Sequence, residues 1–99
     1  IREFDVGLEP SPADGSTQVD PTGTLEWGVT RGADMVTNYL VCLDDHPQPT
    51  TPVHAGPETS LDLGALDLQP ATTYWWRVTA VDADGYTCPR GPWRFTTAP

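Results

Sequence analysis

The chain has 99 residues, the length of one domain, and its 14 acidic against five basic side chains give a net charge of −9 at pH 7. So acidic a surface repels phosphate backbones, which excludes nucleic-acid binding. Eleven prolines and nine glycines argue against long helices, and no apolar run of about 18 residues is present to span a membrane.

The opening Ile1-Arg2-Glu3 has no initiator methionine and reads as part of something longer. Phe4 to Leu8 alternates loosely as a first strand, stopped by Glu9-Pro10-Ser11-Pro12, and Ala13-Asp14-Gly15 is a turn signal. Gly23 to Val29 is a second strand with Leu25, Trp27 and Val29 on one face, broken by Arg31-Gly32-Ala33-Asp34. That break resembles an integrin-binding tripeptide interrupted by alanine, or a plain loop with a salt-bridging Arg and Asp. Met35 to Leu43 is a third strand with Tyr39, Val41 and Leu43 on one side and Leu40 and Cys42 on the other. Asp44 to Pro52 is a proline-rich loop, Val53-His54 a short edge strand, and Thr59 to Leu63 a further strand. The run Thr72 to Val81, the turn Asp82-Ala83-Asp84-Gly85 and Pro92 to Thr97 read as a long antiparallel hairpin holding three of the four tryptophans. Short strands punctuated by turn residues indicate an all-β sandwich.

Several pieces occur in family order across almost the whole chain: Pro10 to Gly15, Leu25-Glu26-Trp27, Tyr39-Leu40-Val41, Leu66 to Tyr74, Trp76-Arg77-Val78 and Trp93 to Thr97. Together they resemble the fibronectin type III fold, in the divergent form found along bacterial and archaeal secreted proteins. The resemblance implies an immunoglobulin-like, seven-stranded antiparallel β-sandwich over residues 1–99, extracellular or at the cell surface. It also implies a buried Trp27 and a tyrosine corner at Tyr74, whose hydroxyl bonds upstream backbone. With Tyr74 facing the core, alternation puts Trp76, Val78 and Ala80 there too, with Tyr39, Trp93 and Phe95 as further core residues. Trp75, Arg77 and Thr79 then point outward.

Cys42 and Cys88 fit no metal spacing. As a disulfide they would close a loop of about 45 residues, worth about 3–4 kcal/mol. The inferred register sets them at opposite ends of a sheet, so two free thiols are the alternative. No catalytic set is apparent: Ser11, Ser16 and Ser60 are outside any nucleophile elbow, and both histidines fall in or beside one loop. Asp44-Asp45-His46 and His54 can be read as converging metal ligands or as solvated loop residues, and the expectation is no metal and no cofactor. Asp82-Ala83-Asp84-Gly85 opens like a calcium loop, but residues 86–94 contain no acid to complete one.

The candidate binding face is the outward side of the last sheet, where Leu40, Trp75 and Arg77 are expected to cluster, with Tyr86 near the hairpin tip. An outward tryptophan can stack on a sugar ring or anchor a protein contact; the alternatives are cover by the domain's own edge loop, a cation–π contact with Arg77, or packing against a neighbouring domain. The sequence therefore points to a non-catalytic spacer or protein-interaction module, its partners being neighbouring domains of the same polypeptide or another protein. A carbohydrate-binding module using Trp75 on a polysaccharide, and a subunit of a surface filament or layer, are the alternatives.

Overall fold

The computed structural model describes residues 6–99. Three strands, β1 (Gly7–Ser11), β3 (Thr24–Arg31) and β6 (Ser60–Asp62), form one antiparallel sheet in the order β1-β3-β6. The remaining five are β2 (Ser16–Val19), β4 (Val36–Asp44), β5 (Pro52–Gly56), β7 (Thr73–Asp82) and β8 (Thr87–Thr97). They form the second sheet, in the order β2-β8-β7-β4-β5. The described residues contain two short 3-10 turns, Ala33–Met35 and Leu63–Leu66, and no helix long and apolar enough to cross a membrane.

The expected count of seven antiparallel strands is corrected to eight among the described residues, with one parallel pair. After β1 the chain jogs across Pro12 to Gly15 to the other sheet without reversing, so β2 lies parallel to β8, with Ser16 opposite Phe95 and Val19 opposite Thr97. The first strand also lies later than the alternation suggests and runs through Pro10. An edge strand tolerates that proline, because its missing N–H is not needed by a second neighbour. The expected residues Phe4 and Asp5 lie outside the described residues.

Period-two alternation builds the core. Along β7 the side chains from Tyr74 to Asp82 alternate strictly between buried and half-buried. Tyr74, Trp76, Val78 and Ala80 meet Trp27 and Leu25 of β3, Tyr39, Val41 and Leu43 of β4, and Cys88 and Phe95 of β8. Trp27 is fully buried and sits with ring centroids 6.1 Å from Tyr39, 6.3 Å from Trp76 and 5.6 Å from His54. Trp93 is half-buried and packs on Trp76 at 4.8 Å.

Between Trp76↔Trp93 and Val78↔Arg90, the pair Gly91-Pro92 faces the single residue Arg77, which makes a β-bulge. Gly91 has φ 95°, and a Cβ there would lie 3.0 Å from the Trp76 carbonyl oxygen, so glycine is required.

Tyr74 fastens the entry to β7: the Gln69 N–H donates to its Oη at 2.8 Å. Tyr74→Phe keeps the buried ring and orphans that donor. It should lower stability by about 1 kcal/mol and Tm by roughly 4–8 °C in thermal unfolding followed by circular dichroism. An unchanged Tm would show that the bond contributes nothing.

Chain direction places the termini of the described segment at opposite ends. Gly7 pairs with Arg31, at the end where Val36 meets Asp82. Thr97 pairs with Val19 and bonds to Thr72 at the other end, one β7 length away, about 33 Å for ten residues.

Candidate functional site

The outward side of the five-stranded sheet is organised by one carboxylate. Asp44 closes β4, and the following residues wrap around it. Its Oδ1 accepts from the His46 N–H at 2.9 Å, and its Oδ2 from the Thr50 N–H, Thr51 N–H and Thr51 Oγ1 at 2.8, 3.1 and 3.1 Å. Desolvation pushes this carboxyl up, but those four hydrogen bonds outweigh it and hold its pKa at about 2. The Leu43 N–H donates to the Thr51 carbonyl and seals the loop onto β5.

So bent, the loop passes over the sheet. Pro49 is buried, and Gln48 Oε1 accepts from Arg77 Nη2 at 3.1 Å. Pro47 becomes one wall of a groove of about 350 Å³ lined by Asp14, Gly15, Pro47, Trp75, Pro92 and Arg94.

Three other segments supply the rest of that groove. Trp75 is half-buried at its floor, opposite Asp44 on one side and Arg94 on the other. The Gly91-Pro92 bulge brings Pro92 to the groove. The Asp14-Gly15 turn is tied to β8: Asp14 Oδ1 accepts from the Arg94 N–H at 2.9 Å, and the Gly15 N–H donates to the Arg94 carbonyl at 2.8 Å. A second groove of similar size lies along β2, lined by Ser11, Pro12, the stretch 16–20, Gly23, Thr24 and Leu63.

The four residues of the expected binding face do not form one patch. Trp75 and Arg77 are neighbours at the Asp44 end. Leu40 is 41% exposed but pairs with Thr79 and Ala55, four residues along β4 from Asp44, about 13 Å away. Tyr86 is 54% exposed at the far turn, where Asp82 Oδ1 accepts from the Asp84 and Tyr86 N–H groups. The face is corrected accordingly: strand length separates Leu40 and Tyr86 from Trp75, and the 45–51 loop shields Arg77.

The suggested Cys42–Cys88 bridge is corrected as well, since both thiols are free. Cys42 sits on the outward side opposite Arg77, whereas Cys88 is buried opposite Ala80, so they occupy different faces of the sheet with β7 between them.

Asp44, Asp45 and His46 do converge, with ligand atoms within 4.8 Å of one another. Both oxygens of Asp44 already serve the loop, however, and His46 Nδ1 lies 3.1 Å from Asp45. His54 does not join them. It faces Trp27, with Nε2 3.7 Å from Glu58.

Sequence reasoning missed Asp14, Pro47, Pro92 and Arg94. Arg94 alone was within reach, because the hairpin register sets it opposite Trp75 on the same outward face.

No protein-family model matches this chain, and a search of curated proteins gives no significant match. Among solved structures it resembles part of a Streptomyces avermitilis α-L-rhamnosidase complexed with L-rhamnose, with a TM-score of 0.58 and 18% identity. The likeness covers 94% of this chain and 10% of that one. It supports an all-β, sandwich-like fold.

Proposed function

We propose that the chain is a non-catalytic, immunoglobulin-like module of the fibronectin type III kind, one part of a larger secreted or cell-surface protein, where it spaces and orients neighbouring domains. The coverage carries this reading: nearly the whole chain, 94%, overlies a stretch that makes up only 10% of a long glycoside hydrolase chain. Three further features support it. The orders β1-β3-β6 and β8-β7-β4-β5 suit a Greek-key sandwich, with β2 as an added edge piece. The ends of the described segment lie at opposite poles, as a spacer between two neighbours requires. The Asp44 carboxylate, in the cluster Asp44-Asp45-His46 found among the described residues, is committed to loop backbone rather than to a reacting group.

Sedimentation of the purified chain up to high micromolar concentration should show a monomer, and a panel of aryl glycosides should show no turnover. Saturable hydrolysis would overturn the non-catalytic reading. Concentration-dependent self-association would favour a filament or layer subunit instead, against which β1 already pairs with β3 of its own chain from Gly7 onward.

A further inference from the structure

We infer that the Trp75 groove is a binding site for a neutral sugar ring. The inference goes beyond the spacer reading and does not depend on it, since a spacer needs no ligand.

Trp27 and Trp76 are fully buried, and Trp93 packs on Trp76 in a tilted arrangement. Trp75 makes no ring contact among the described residues, and it lines a groove open to solvent. Keeping an indole there without an aromatic partner sacrifices apolar burial that its neighbours in the same strand obtain. The groove's other members explain what could take the partner's place. Pro47 and Pro92 are rigid, saturated walls. The guanidinium of Arg94 and the second carboxylate oxygen of Asp14 have no partner among the described residues, and no ion pair joins the two side chains.

A sugar ring fits this set. Its C–H face is complementary to the negative π face of an indole. Each hydroxyl is both donor and acceptor, whereas Arg94 offers only donors and ionised Asp14 only acceptors. One of each, uncommitted and side by side along the β8 edge of an aromatic surface, therefore suits neighbouring hydroxyls. An anionic ligand would gain Arg94 but meet Asp14, with Asp44 and Asp45 nearby and −9 on the chain as a whole. A proline-rich peptide calls for an aromatic-lined groove, and this one contains a single aromatic ring. The walls are pre-set: Pro47 by the four bonds that the surrounding loop makes to Asp44, and Asp14 by its bond to the Arg94 N–H. Little ordering is then needed on binding. One ring in an open groove implies a dissociation constant on the order of a millimolar.

The test is a titration of the ¹⁵N-labelled chain with methyl α-L-rhamnopyranoside, methyl β-D-galactopyranoside and methyl β-D-glucopyranoside, following the Trp75 Nε1–H and Arg94 Nε–H signals by NMR. A saturable shift centred on those signals is expected with at least one of the three. Trp75→Ala should abolish saturation, Arg94→Ala should weaken it at least tenfold, and Leu40→Ala, remote from the groove, should leave it unchanged. The remaining amide spectrum reports whether each variant is folded, and Arg94→Ala, at an exposed position, keeps the test sound should Trp75→Ala unfold. The inference is overturned if none of the three saturates, if saturation survives Trp75→Ala, or if glucuronate or a proline-rich peptide fills the groove where neutral sugars do not. None of these outcomes touches the monomeric, non-catalytic behaviour on which the spacer reading rests.

Discussion

Trp76→Ala should destabilise the fold by about 3–5 kcal/mol, a third or more of the stability of a typical domain. Trp76 is fully exposed to its neighbours and not at all to water: it lies opposite Leu43 and Trp93 in its own sheet and meets Trp27 of the facing sheet at 6.3 Å. Removing the indole leaves a void between two hydrogen-bonded sheets, whose ladders resist collapse. Trp76→Phe should cost much less, about 1–2 kcal/mol, because it refills most of that volume. It also removes a buried Nε1–H that has no acceptor among the described residues, which offsets part of the lost contact. The adjacent Trp75→Ala should cost about 1 kcal/mol or less, since its ring is only partly withdrawn from water. Urea unfolding of the three variants checks the order. Equal losses for Trp75→Ala and Trp76→Ala would contradict the inward and outward assignment of the two residues.

That assignment was legible in the sequence because it depends on local alternation alone. A ten-residue strand with aromatic and β-branched side chains has one way to bury a face, and the hairpin turn after Asp82 fixes its partner. The same rule located β3 and β4 to within a residue or two. It could not find β2, whose four residues Ser16 to Val19 are mostly polar and carry no period, and whose pairing with β8 is parallel and distant in sequence. The groove was illegible for a related reason. Asp14, Pro47, Pro92 and Arg94 come from three segments that meet only after the loop, the bulge and the first turn have taken shape. Alternation placed Trp75 outward, but what surrounds it depends on a carboxylate bonding to backbone up to seven residues away. Leu40 shows the limit from the other side: it does share the outward face, yet sharing a face over nine residues of strand does not make a patch.

The second large effect should come from Asp44. Asp44→Ala removes the acceptor for two loop N–H groups at 2.8 and 3.1 Å, the His46 N–H and the Thr51 hydroxyl, and should lower stability by about 2 kcal/mol. Asp44→Asn retains one acceptor oxygen but turns an NH₂ toward donors, so about half that loss is expected. Both changes free Pro47 and Gln48 from the sheet, which should make Trp75 more accessible to acrylamide quenching while Trp27 and Trp76 stay protected. The pH dependence follows from the depressed carboxyl. Its folded-state pKa of about 2 lies below the ordinary 3.8, so the stabilisation is present in full above the higher value and is lost as the pH falls through the lower one. The informative quantity is the difference between the native chain and Asp44→Asn, in which whatever acid does to the rest of the molecule cancels. Thermal unfolding at pH 6 and at successively lower pH should show that difference constant down to about pH 4 and shrinking toward zero near pH 2. A difference that persists unchanged at the acid end would mean that Asp44 holds the loop by shape rather than by charge, and that the wall of the Trp75 groove has another support.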